Sequence, residues 1–312
     1  MFPKSRGLSR RAVLGSAAAG LAVSVSVPGV ATAAPARPQG ETRRLTVYAE
    51  KISDQLYGYG LAPGAATVPG PVLEMWEGDT LEIDLVNTTD RVLSLHPHGV
   101  DYDVHSDGTL MNDSAVMPGQ TRHYTWRSHT SYRRADGSWA EGSAGYWHYH
   151  DHAMGTEHGT EGILKGLYGA LVVRRRGDLL PRRQFVVVFN DMMINNRSRD
   201  AVPTFEANLG ERVEWIAIGH GSNFHTFHLH GHRWLDNRTG TRLSEYDNSP
   251  LIDIKDLNPG VSFGFQVIAG EGVGPGMWMY HCHVQNHSDM GMAGMFLVRN
   301  ADGTMPDGVH EH

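Results

Sequence analysis

Gly78-Asp-Thr-Leu-Glu-Ile-Asp-Leu-Val-Asn87 alternates apolar and polar residues behind a glycine turn. That period puts Leu81, Ile83 and Leu85 on one face of an extended segment, which predicts a half-buried β-strand. A second stretch, Gly210-Glu-Arg-Val-Glu-Trp-Ile-Ala-Ile218, opens and alternates in the same way. The segments downstream of each strand also repeat. The first copy continues with His96-Pro-His98-Gly99, then Pro118-Gly119 and a strand. It goes on through Tyr146-Trp-His-Tyr-His150-Asp-His152 to Gly169-Ala-Leu-Val-Val173. The second continues with His228-Leu-His230-Gly231, then Pro259-Gly260 and a strand. It goes on through Met279-Tyr-His281-Cys282-His283 to Gly294-Met-Phe-Leu-Val298. His98 and His230 are 132 residues apart, and His150 and His281 are 131 apart. Two tandem copies of one fold account for this. Short strands, Pro-Gly turns and the lack of a long 3.6-period segment predict an all-β chain of two Greek-key β-sandwich domains. The expected units are residues 41–178 and 179–304, divided after the Arg174–Asp178 turn, with a loose polar tail over 305–312.

The 312 residues are 40% hydrophobic, enough for two medium-sized cores. Residues 1–33 read as an export signal of the twin-arginine (Tat) type. Arg10-Arg11 precedes an uncharged run from Ala12 to Val27, and Ala31-Thr-Ala33 offers a cleavage site. The alternative, an amino-terminal membrane anchor, would need about 20 apolar residues, longer than this alanine-rich run. The expectation is a soluble, secreted protein with no membrane association after processing. Removing the segment takes Lys4, Arg6, Arg10 and Arg11 and no acid, so the formal charge moves from −7 to −11. That balance argues against a nucleic-acid partner.

The chain has 19 histidines and one cysteine, Cys282, so no internal disulfide can form. Seven His-x-His pairs occur, where chance placement gives about one, and on a strand residues i and i+2 share a face. Each pair therefore presents two imidazoles side by side, a grip for one metal or two adjacent ones. Imidazole suits copper, zinc, iron and nickel alike. Cys282 makes the choice. It points away from His281 and His283, and His225, His287 and Met292 lie within reach in sequence. Two histidines, a thiolate and a weak methionine define the electron-transfer copper site called type 1.

The four histidine segments resemble the four copper motifs of multicopper oxidases, in the family's order. His96-Pro-His98-Gly99 resembles HxHG, and Tyr149-His150-Asp-His152 resembles YHSH. His225-Thr-Phe-His228-Leu-His230 matches HxxHxH. The run from His281-Cys282-His283 through His287 to Met292 matches HCHxxxHxxxxM. The departures are Pro97 and Asp151, both intervening residues. With two repeats instead of three, the chain is similar to the bacterial small, two-domain laccases, which implies cupredoxin-like domains. The resemblance assigns His225, Cys282, His287 and Met292 to type 1 copper, with Met290 two residues short of the motif's methionine. It assigns His96 and His228 to type 2 copper, and His98, His150, His152, His230, His281 and His283 to the type 3 pair. It thus implies four coppers per functional unit, one of type 1, one of type 2 and two of type 3.

The activity it implies is one-electron oxidation of phenols, aromatic amines and redox dyes near a solvent-facing His287. Electrons would pass through Cys282 to the cluster, where dioxygen is reduced to water. It further implies a homotrimer with clusters between subunits. Asp107 stands where relatives carry a carboxylate beside type 2 copper, and Tyr102 is a candidate auxiliary electron donor. Against these roles stand an ordinary Asp-Gly turn and core packing. His148 shares a face with His150 and His152. His158 and His232 read as solvated loop residues, with support of the metal ligands as the alternative, and His310 and His312 as tail. Shifting the type 1 ligands back by one repeat lands on Leu93, Asp151, Thr156 and Glu161, so electron entry is expected in the second domain alone. The alternatives are a metal-homeostasis oxidase for Cu(I) or Fe(II), a copper nitrite reductase, and a non-enzymatic copper or electron carrier.

Overall fold

The computed structural model describes residues 40–309. The expected export signal at 1–33, His310 and His312 lie outside the described residues. The first half forms β1 (Thr42–Lys51), β2 (Tyr57–Gly60), β3 (Leu73–Trp76), β4 (Thr80–Asn87), β5 (His96–Pro97), β6 (Thr121–Arg127), β7 (Tyr132–Arg133), β8 (Trp139–Ala140), β9 (Gly145–His150) and β10 (Tyr168–Arg174). The second half forms β11 (Arg183–Asn190), β12 (Met193–Ile194), β13 (Phe205–Asn208), β14 (Arg212–His220), β15 (Thr226–Leu229), β16 (Trp234–Leu235), β17 (Leu251–Ile252), β18 (Ile254–Asp256), β19 (Ser262–Ile268), β20 (Gly276–Cys282) and β21 (Ala293–Arg299). Two one-turn helices, α1 (Thr160–Leu164) and α2 (Gln285–Asp289), precede β10 and β21.

Each half is a cupredoxin-like sandwich. Sheets ordered β2-β1-β4-β6 and β3-β10-β9-β5 make the first, and β12-β11-β14-β19 and β13-β21-β20-β15-β18 the second. The alternation in β4 behaves as the sequence predicts. Leu81, Ile83 and Leu85 are fully buried and meet Trp126 of β6, Met75 of β3, Tyr149 of β9 and Leu171 of β10. The second core is built around Trp215, whose ring centroid lies 5.1 Å from Phe185 and 5.3 Å from both Tyr280 and Phe296.

β14 differs from the half-buried strand its alternation suggested, because both its faces are covered. Ile216 and Ile218, with Val188, pack on Val72, Tyr146, Tyr168, Ala170 and Val172 of the first sandwich, forming a third core between the halves. Glu214 lies in that seam at 0% exposure, paired with Arg174 of β10 at 2.7 Å. Where the expected tail begins, Pro306 is buried and the Met305 carbonyl accepts from Asn300 Nδ2 at 3.1 Å. Pairing carries the repeat to the ligand level. β5 places His96 opposite His150 on β9, and β15 places His228 opposite His281 on β20.

Candidate metal centre

Three groups of histidine and cysteine converge: His225 with Cys282 and His287, His96 with His98 and His150, and His228 with His230 and His281. Strand alternation sets the first. Cys282 turns into the second core and is 0% exposed, while His283 beside it is exposed. The loop after β20 folds back so that Cys282 N donates to the Met292 carbonyl and Met292 N donates to the His287 carbonyl, each at 3.0 Å. Met292 is fully buried in the same core. Cys282 Sγ lies 3.5 Å from His225 Nδ1 and 3.7 Å from His287 Nδ1, and the two nitrogens are 3.3 Å apart. Three ligands bonded to one ion at roughly 2.0–2.3 Å and near 120° must stand about 3.5–3.7 Å apart. The triangle therefore fits a trigonal metal, and its nitrogen, nitrogen, sulfur donor set suits copper. His225 is fully buried and His287 is 7% exposed, so His287 is the ligand that reaches the surface. Phe224, 62% exposed, sets its ring 6.3 Å from that of His287.

The other two groups are copies of one another. His98 Nε2 is 3.1 Å from His150 Nε2, and His230 Nε2 is 3.1 Å from His281 Nε2. Backbone carbonyls fix the tautomers, because a carbonyl can only accept. His96 Nδ1 donates to Asp107 O, His150 Nδ1 to Asp151 O and His228 Nδ1 to Asp253 O at 2.7 Å, and His281 Nδ1 to Cys282 O at 2.8 Å. The Nε2 lone pairs are left for a metal. Burial, and then neighbouring imidazoles, lowers His98 to about 4 and also depresses His96, His230 and His281. These four imidazoles are thus neutral at ordinary pH, as metal binding requires. His152 and His283 are outside these triads but pack on them, with ring centroids 5.0 Å from His96 and 5.3 Å from His228. Among the described residues, no hydrogen bond or ring contact joins the four histidines of the first set to the four of the second.

Asp107 lies beside the first set, with Oδ1 3.5 Å from His96 Nδ1. Burial pushes its carboxyl up, but hydrogen bonds from Thr109 and Asn112, each 2.6 Å, outweigh that and hold it below the ordinary value. The Tyr102 ring is 5.7 Å from His96, and its phenol is raised by burial and by the Asp107 charge.

The structure corrects the reading of His232 as a solvated loop residue. It is 3% exposed, Nδ1 donates to the His230 carbonyl at 2.9 Å, and Nε2 accepts from Gly270 N at 2.9 Å. It ties a ligand's backbone to the turn after β19. His158 is exposed, with its ring 5.6 Å from His152. Sequence reasoning passed over His220, which is 5% exposed and sits 5.4 Å from the His150 ring. A single histidine ending an apolar strand gives no periodic signal.

In the first sandwich, the place corresponding to the Cys282 triangle is filled by a polar network. Asp151 is 0% exposed and accepts from Ser94 N at 2.7 Å and Met154 N at 2.8 Å, while Glu161 pairs with Arg91.

A two-sandwich β-protein with a buried Cys-His-His triangle and two equivalent histidine sets defines a cupredoxin-type metalloprotein. Residues 64–178 and 179–302 each match a family model described as multicopper oxidase. The chain is 35% identical over 266 residues to a probable nitrite reductase-hydroxylamine oxidoreductase fusion protein of Kuenenia stuttgartiensis, covering 78% of this chain and 29% of the relative. It is 28% identical over 294 residues to ferroxidase HEPHL1 of Mus musculus, covering 76% and 23%. The chain thus spans less than a third of the length of these relatives. The crystal structure of blue copper oxidase from Nitrosomonas europaea shares the fold, with a TM-score of 0.60 at 21% identity over 84% of this chain and 87% of that one. The chain belongs to the multicopper oxidase family, and the family implies copper at these sites.

Proposed function

We propose that the protein is a laccase-type oxidase that takes single electrons from phenols and aromatic amines and reduces dioxygen to water. Copper supplies the redox chemistry when bound: type 1 at His225, Cys282, His287 and Met292, type 2 at His96 and His228, and type 3 at His98, His150, His152, His230, His281 and His283. The observation that carries the reading is the continuity of the two kinds of site. Cys282 lies in one metal triangle, and its chain neighbours His281 and His283 belong to a histidine set. A carrier would need only the triangle, and the eight histidines would then have no use. Aromatic donors are favoured by the exposed Phe224 ring beside His287, which offers a stacking surface. Asp107 orients His96 through its carbonyl and keeps a negative charge beside it, placed to draw protons toward the cluster rather than to retain them. Export by the Tat route is part of the proposal on sequence grounds. No helix among the described residues is long and apolar enough to cross a membrane.

The complete cluster is proposed to form between neighbouring chains of a homotrimer. Within one chain the two histidine sets make no contact. The second is half-buried with His283 exposed, and Leu251 and Ile254 nearby are exposed at 56% and 38%. A mixing experiment tests this. A variant lacking His96 and His98 and another lacking His281 and His283 are each inactive, yet co-assembly should restore oxygen uptake with a simple phenol. Absence of restoration in mixed trimers, or full activity in a monomer, refutes shared clusters. Faster turnover of Fe(II), Cu(I) or nitrite than of any phenol refutes the laccase assignment.

A further inference from the structure

We infer that His148 is a positioning residue for the first histidine set, stacking on the ligand His98 while itself anchored by the second sandwich of the same chain. The inference rests on the oxidase reading and concerns a histidine outside its ligand set.

The His148 ring is stacked on His98, with centroids 3.9 Å apart and planes 24° from parallel. It is 1% exposed and belongs to none of the three groups that could hold a metal. What holds it comes from β19. Ser262 Oγ lies 3.2 Å from His148 Nδ1 and also donates to the Tyr146 carbonyl at 2.9 Å. A hydroxyl has one proton, and a carbonyl can only accept it. Ser262 Oγ is therefore the acceptor toward His148, and His148 carries its proton on Nδ1. The ring is fixed in tautomer and in plane, facing the ligand it supports.

The rest of that face of β9 is held from the same side. Tyr146, His148 and His150 alternate onto one face. Tyr146 donates to Glu214 of β14 at 2.7 Å. Its ring lies across Gly264 of β19, where an added Cβ would come within 2.3 Å of it. The His150 ring packs on His220, the last residue of β14. The first histidine set is thus presented outward while its backing belongs to β14 and β19. His98 itself lies beyond the two-residue strand β5, with little regular structure of its own. The stacked His148 supplies the rigidity that the strand lacks. Groups that orient metal ligands typically change metal affinity 10–100-fold when removed.

The test compares His148→Ala, His148→Phe and Ser262→Ala in the full chain. Copper per chain, the blue type 1 absorption and the cluster's electron paramagnetic resonance signature are measured, and unfolding of the copper-free proteins checks the fold. His148→Ala should keep the type 1 signal and weaken copper binding at the histidine sets about 10–100-fold. His148→Phe keeps a flat ring and should recover most of that loss, and Ser262→Ala should fall between. Wild-type cluster copper and signature in His148→Ala overturns the inference, as does a phenylalanine variant no better than alanine. A wild-type protein that loads copper only at Cys282 overturns the oxidase reading itself, and the inference with it.

Discussion

Replacing Glu214 with glutamine tests the seam on which the first histidine set rests. Glu214 accepts two hydrogen bonds from Arg174 at 2.7 Å, one from the Tyr146 hydroxyl at 2.7 Å, and one each from Gln184 and Gln266 at 2.9 and 3.0 Å. Burial alone would raise its carboxyl, but the adjacent Arg174 charge and these donors pull it down to about 2 from an ordinary 4.5. That gap corresponds to on the order of 3 kcal/mol, and breaking a buried pair costs about 3–5 kcal/mol. Glutamine keeps the shape and removes the charge, leaving Arg174 with only the partly exposed Glu74 as counter-charge. At 2–4 °C per kcal/mol for a protein near this size, Tm should fall by roughly 6–20 °C in calorimetry. The double variant Arg174→Met/Glu214→Leu should recover most of the loss, because neither charge then needs desolvating. The charged pair's contribution is complete above pH 4.5 and is lost as pH falls through about 2. The gap between wild type and Glu214→Gln should therefore close on acidification. A drop below about 3 °C, a double variant worse than the single, or a gap unchanged at low pH would each refute the account.

Gly99 and Gly231 both adopt positive φ, +74° and +69°, but an added Cβ at Gly99 meets Trp147 at 1.9 Å and one at Gly231 meets Trp278 at 2.8 Å. Denaturant unfolding should therefore rank Gly99→Ala as the worse, at about 2–5 kcal/mol, with Gly231→Ala nearer the backbone strain of about 1–2 kcal/mol; equal costs would contradict this. His232→Leu strands the Gly270 N–H and the His230 carbonyl, and should cost about 1–3 kcal/mol of stability. Phe224→Ala should raise KM for phenols about two- to tenfold through lost aromatic contact, with KM for Fe(II) unchanged. Equal effects on both donors would place the aromatic donor elsewhere.

Much of the site was legible because metal binding needs residues whose spacing strand geometry dictates. His-x-His pairs declare themselves by period two, and Cys282 between two histidines declares two sites back to back. The repeat offset carries this further, matching His96 to His228 and His150 to His281 by spacing alone. What stayed hidden depends on the packing of one sandwich against the other. β14 alternates as a half-buried strand does, yet a second sheet covers its other face, where Glu214 pairs with Arg174, 40 residues away. His232 and His148 could not be told from ligands or loop residues, since their partners, Gly270 and Ser262, are set by tertiary contacts.

The duplication also explains why the sandwiches bear equal histidine sets and unequal cores. A histidine set needs only strands in register and carbonyls to fix tautomers, and both copies retain these. A type 1 site also needs a buried thiolate and a return loop that brings a histidine back to it. Where the second copy has Cys282 folding back toward His287, the first has Asp151 accepting from Ser94, Ala153 and Met154. That carboxylate satisfies the backbone of the turn that leads to His152, whose own N–H donates to Ser94 Oγ. With no thiolate, the arm's geometry is held by hydrogen bonds in place of a metal. On the proposed laccase-type reading, the first sandwich is devoted to holding half a cluster firmly and the second to passing electrons into the other half. Neither sandwich would then be an oxidase without the other's surface.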